Sequence, residues 1–107
     1  MNVKSNLISN KTIRENIVIS NGATFEAGGI IDGDVIVNDG SKLNLLGTMN
    51  GNLSISAKSQ AIVYGTINCD LIVSQGQLEI FGIVNTSKPV PRNAILRRGC
   101  IINGSAY

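Results

Sequence analysis

Short polar residues recur along this chain at intervals of about 18 positions: Asp32-Gly33-Asp34, Asn50-Gly51-Asn52, Asn68-Cys69-Asp70 and Asn85-Thr86-Ser87. Two chemistries suit oxygen-bearing side chains repeated in this way. One is calcium binding, which needs several carboxylates converging within one loop. The other is structural, because Asn and Asp beside Gly form turns that tolerate left-handed backbone, and stacked Asn side chains hydrogen-bond along a ladder. With acid only at Asp32, Asp34 and Asp70 in these triplets, the sequence favours the structural role. No metal ligand is assigned.

Proton-transfer chemistry at neutral pH is poorly supplied. The chain has no histidine, and its seven carboxylates do not gather beyond the turn just described. Cys69 and Cys100 have no imidazole to activate them as nucleophiles. Cys69 takes the place held elsewhere by Gly33, Gly51 and Thr86, so it reads as a small residue at a tight corner. Two cysteines are too few for a disulfide framework and are read as free thiols. Lys88, Arg92, Arg97 and Arg98 form the one basic concentration, and with a net charge of +2 they read as a solvated end face rather than a nucleic-acid surface. The sequence therefore assigns no catalytic residue, no cofactor and no small-molecule substrate, and an enzyme is not expected.

The elements that place these residues come from an internal repeat. Segments 17–34, 35–52, 53–70 and 71–87 align without gaps until the last, which is one residue short near Gly76. The first and third positions read Ile17, Val35, Leu53, Leu71 and Ile19, Val37, Ile55, Val73, an alternation that marks a strand. The ninth and eleventh read Phe25, Leu43, Ala61, Leu78 and Ala27, Leu45, Val63, Ile80, a second strand. The thirteenth is Gly29, Gly47, Gly65, Gly82 and the fifteenth Ile31, Met49, Ile67, Val84, a third short strand behind a glycine corner. A chain that is 43% hydrophobic but only 4% aromatic suits stacked aliphatic ladders. Apolar residues at helical spacing are missing, and a six-residue ladder fails at Val35, Ser41, Gly47, Leu53, Ser59, Gly65.

The expected fold is therefore all-β: one right-handed parallel β-helix with about 18 residues and three short strands per coil. Residues 1–16 read as a degraded capping coil, with Leu7 in the ninth column and Ile13 in the fifteenth; residues 17–87 form a four-coil core; residues 88–107 read as an irregular last coil or cap. Pro89 and Pro91 flank Val90 in the third column and weaken pairing there. Ends matter because open coils present unpaired backbone and bare apolar core to another molecule.

Within the repeat, Leu46, Tyr64 and Phe81 share the twelfth column with Gly28 and alternate with inward Leu45, Val63 and Ile80, so they should face outward. This exposed stripe is the candidate interaction surface. The N-x-[ST] triplets at Asn10, Asn52, Asn85 and Asn103 read as products of an Asn- and Ser-rich composition.

Gly33-Asp34-Val35-Ile36-Val37, Gly51-Asn52-Leu53-Ser54-Ile55 and Gly65-Thr66-Ile67-Asn68-Cys69-Asp70-Leu71-Ile72-Val73 resemble the repeats of bactofilins, bacterial polymer-forming proteins built on a compact right-handed β-helix. The resemblance spans residues 17–87. It implies head-to-tail assembly into filaments without nucleotide, and scaffolding at the bacterial envelope. The alternative expectation is a small partner-binding module, such as an immunity or inhibitor protein neutralising one cognate toxin. The expected partners are thus copies of the chain itself or one cognate protein. The first residues lack a continuous apolar stretch and no run of 18 apolar residues occurs, so a cytoplasmic location is expected, with any membrane association made through partners.

Overall fold

The computed structural model describes residues 1–68, 71–73, 76–86 and 94–106, with the backbone alone for 71–73. Among these, every regular element is a strand, and no helix is long and apolar enough to cross a membrane. The strands stack as a β-solenoid of about five turns with coils spaced at about 18 residues. The expected all-β solenoid with three strands per coil is what forms.

Three sheets make the walls. The first holds β1 (Asn2–Val3), β3 (Ile17–Ile19), β6 (Val35–Val37), β9 (Leu53–Ile55) and β12 (Leu71–Val73). The second holds β2 (Leu7–Ser9), β4 (Thr24–Ala27), β7 (Lys42–Leu45), β10 (Gln60–Val63), β13 (Gln77–Ile80) and β15 (Ala94–Leu96). The third holds β5 (Ile30–Asp32), β8 (Thr48–Asn50), β11 (Thr66–Asn68), β14 (Ile83–Asn85), β16 (Ile101–Ile102) and β17 (Ser105–Ala106). All pairings are parallel except β16 with β17. Parallel neighbours come from successive coils, which is why the sequence period becomes the pairing register: Ile17 beside Val35 beside Leu53, and Phe25 beside Leu43 beside Ala61.

Alternation then fills the interior. Ile17, Ile19, Phe25, Ile31, Val35, Val37, Leu43, Leu45, Met49, Leu53, Ile55, Val63, Ile67, Leu78, Ile80 and Val84 are each sealed from solvent. Side chains one residue away, such as Glu26, Asn44 and Ser54, stand outside. The shortened coil behaves as its missing residue requires: pairing steps by 18 from Leu53 to Leu71 but by 17 from Gln60 to Gln77. The change falls between Val73 and Gln77, a stretch that ends at Gly76, where a Cβ would lie 2.4 Å from Ile55 Cγ2.

Each corner uses its own device. Between the first and second sheets, Ala23 N–H donates to Ser20 O (3.2 Å), Ser41 N–H to Asn38 O (3.0 Å) and Ser59 N–H to Ser56 O (3.1 Å). Asn21 and Gly22 (φ 61° and 68°), and Asp39 and Gly40 (57° and 70°), take left-handed backbone, whereas the third of these turns confines it to Lys58 (66°) because Ala57 resists it. Left-handed backbone therefore recurs at this corner, whereas in the polar triplets Asp32, Asn50 and Asn68 keep ordinary φ and only Gly51 is positive (φ 157°) among the described residues. Between the second and third sheets the turn is only two residues long, and both N–H groups share one carbonyl. Leu46 and Gly47 donate to Ala27 O (2.8 and 3.0 Å), Tyr64 and Gly65 to Leu45 O (2.8 and 3.0 Å), Phe81 and Gly82 to Val63 O (2.8 and 3.1 Å).

At one end of the rod, Val3 lies beside Ile19, Leu7 beside Phe25 and Ile13 bridges Ile31. At the other, β15 and β16 extend the second and third sheets, and the chain then turns at Asn103-Gly104 to bring β17 back antiparallel along β16. Val90 and its flanking prolines lie outside the described residues.

Candidate interaction surface

The twelfth-column stripe is built by the two-residue corner. Because Leu45, Val63 and Ile80 point into the core, the next side chains must point out, and the shared carbonyl fixes each at the same height in its coil. Leu46 and Tyr64 are each 48% exposed and Phe81 is 42% exposed. The Tyr64 and Phe81 rings stack, with centroids 5.1 Å apart and planes within 9°. The next position in this column is Arg97, whose guanidinium lies 5.8 Å from the Phe81 centroid. Its Nε donates to Glu79 Oε1 at 2.5 Å, which fixes the cation over the ring. Sequence reasoning placed Arg97 only in a basic end group; continuing the column by one coil would have found it.

This arrangement limits what the stripe can do. Phe81 is covered by Tyr64 on one face and Arg97 on the other, so it presents an apolar edge rather than a face on which a planar ligand could stack. An edge of that kind suits a protein surface.

The polar triplets form two ladders along the third corner. Asn50 Nδ2 donates to Asp32 Oδ1 (2.9 Å), Asn68 Nδ2 to Asn50 Oδ1 (3.0 Å) and Asn85 Nδ2 to Asn68 Oδ1 (2.9 Å). Beside them, Asn16 Oδ1 accepts from Asp34 N–H (2.9 Å) and Asp34 Oδ1 from Asn52 N–H (2.8 Å). Asp32 and Asp34 are thus held as ladder acceptors. Among the described residues no three Asp, Glu, Cys or His side chains gather. Cys69, Asp70, Ser87, Lys88 and Arg92 lie outside the described residues. Cys100 is a buried free thiol.

A second apolar surface lies at the two ends of the second sheet, where open coils are expected to bare their core, and the structure names its residues. Leu7 and Leu96 sit in columns that are sealed in every coil between them, yet are 37% and 36% exposed, and the outward Ile8 and Ile95 reach 69% and 45%. Each end coil has a neighbour on one side only. Beside β2 lies a groove of about 420 Å³ lined by Asn6, Leu7, Ile8, Thr24, Glu26 and Asn44. No protein-family model, curated protein or solved structure matches the chain.

Proposed function

We propose that the chain is a non-enzymatic structural subunit, similar to bactofilins, that joins copies of itself head-to-tail into nucleotide-free filaments and scaffolds partners at the bacterial envelope. A β-solenoid of about five turns is compatible with that family's β-helix. The observation that carries the reading is the state of the second sheet's edges, where Leu7 and Leu96 leave core columns uncovered. Bare apolar columns beside unpaired strand backbone are a template for another chain, and a solenoid offers such a template at both ends. On this reading the subunit works in the cytoplasm and meets the membrane through its partners. Sedimentation velocity across a concentration series, with negative-stain microscopy, tests it. Growth into rods of uniform width is expected, and a stable monomer at high concentration overturns it.

A second reading, a module that binds one cognate protein such as a toxin, is favoured by the Leu46, Tyr64 and Phe81 stripe, which lies on the side of the rod rather than at its ends. Leu46→Asp separates the two. Loss of capture of a single protein with self-association unchanged supports the binding module, and no change in either leaves the filament reading alone.

A further inference from the structure

One outward column of the second sheet runs Ile8, Glu26, Asn44, Ile62, Glu79, Ile95 from end to end, flanked by two inward columns that begin at Leu7 and Ser9 and finish at Ala94 and Leu96. Among the described residues the edges of this sheet are therefore β2 and β15, and they belong to one continuous register. If the register continues into a second copy, Ala94 falls beside Leu7 of the next copy, Ile95 beside its Ile8 and Leu96 beside its Ser9. Small meets large at both inward positions, which is the pairing that fills a core without overlap. The same step brings together four side chains that are otherwise exposed: Leu7, Ile8, Ile95 and Leu96.

The third sheet does not continue so simply. β17 lies one layer beyond β16, antiparallel, and so occupies the layer in which the next copy's Ile13 bridge would have to sit. It is held lightly, by the pairs Ile101 with Ala106 and Ile102 with Ser105, with Ser105 and Ala106 both exposed, on a turn of left-handed Asn103 and Gly104 (φ 50° and 83°).

We infer that β15 of one copy pairs with β2 of the next in this register, and that β17 is the gate of the joint, moving off β16 before the third sheets can stack. The inference rests on the self-association reading and specifies its contact. Neighbouring strands lie about 4.8 Å apart, within the Cα separation a disulfide spans. Ile8→Cys and Ile95→Cys, singly and together in a Cys69→Ser background, are to be oxidised in the whole chain and in a chain ending at Asn103. The double variant should give a ladder of covalent oligomers, denser by several-fold when β17 is removed, while each single variant stays a monomer. Ile95→Lys, at an exposed position, should abolish the oligomers with the far-UV spectrum unchanged. Oligomers that sediment without cross-linking, or single variants that dimerise, overturn the joint but leave self-association standing. Equal cross-linking with and without β17 overturns the gate. Monomers throughout, in both chains and without cross-links, overturn the inference and the self-association reading together.

Discussion

Gly47 and Gly65 are held to glycine by space. A Cβ on either would lie 1.9 Å from the carbonyl oxygen of the glycine one coil earlier, and neither has a left-handed φ. Backbone cannot yield as a flexible side chain would, so Gly47→Ala should cost about 2–4 kcal/mol in urea unfolding. Gly22→Ala is the contrast: nothing lies within 4 Å of its Cβ, but φ is 68°, so only the conformational cost of about 1 kcal/mol applies. In the column of Ala23, Ser41 and Ser59 bury hydroxyls that make no hydrogen bond among the described residues. Ala23 shows that a methyl fits there, and Ser41→Ala should raise unfolding stability by about 1 kcal/mol by removing an unpaired polar atom. The glycine column was legible in the sequence because it repeats. Its cause was not, since the close carbonyl belongs to a different coil and emerges only when coils stack.

At the scale of elements, outward and inward columns of similar composition should respond differently to the same kind of change. Phe81→Asp removes a ring stacked on Tyr64 and capped by Arg97 but opens no cavity, so thermal unfolding should shift by about 1 kcal/mol or less. Phe25→Ala, at a side chain fully sealed in the core, should cost about 3–5 kcal/mol. The asparagine ladder has a direction that can be tested in the same assay. Asn68→Asp turns a donor into an acceptor facing Asn50 Oδ1 and should lose about 1 kcal/mol, whereas Asp32→Asn keeps the acceptor on which the ladder ends and should stay within about 0.5 kcal/mol. The three sheets could be read from the sequence because apolar residues alternate within each strand and recur from coil to coil. β1 escaped that frame because Val3 pairs with Ile19 across 16 residues, not 18. β17 lies outside the 18-residue frame because Asn103-Gly104 after two isoleucines is a hairpin signal as well as part of an N-x-[ST] triplet. The stripe at Leu46, Tyr64 and Phe81 followed from alternation alone, and apolar open ends followed from stacking, while naming Leu7, Ile8, Ile95 and Leu96 as their residues required knowing where stacking stops.

For the molecule as a whole, the modest net charge of +2 hides a strong division. Residues 1–16 carry Lys4, Lys11 and Arg14 against Glu15, a net +2, and residues 88–107 carry Lys88, Arg92, Arg97 and Arg98 with no acid, a net +4. Residues 17–87 hold Lys42 and Lys58 against Glu26, Asp32, Asp34, Asp39, Asp70 and Glu79, a net −4. Like charge on the two terminal segments of the sequence would oppose the proposed end-to-end contact at low ionic strength, even though Leu7, Ile8, Ile95 and Leu96, which that contact would join, are apolar. Screening relieves this, because the Debye length falls from about 30 Å at 0.01 M salt to about 3 Å at 1 M. Apolar burial is not weakened by salt in the same way. Coaxial self-association should therefore strengthen as sodium chloride is raised from about 10 mM to about 500 mM, read as an increase in weight-average sedimentation coefficient at fixed protein concentration. The opposite slope would mean that basic ends dock against acidic middles, side by side, or against an acidic partner, since contacts between opposite charges loosen as they are screened. The sign of the salt dependence thus separates a filament joined through its ends from an assembly joined through its flanks, without any substitution in the chain.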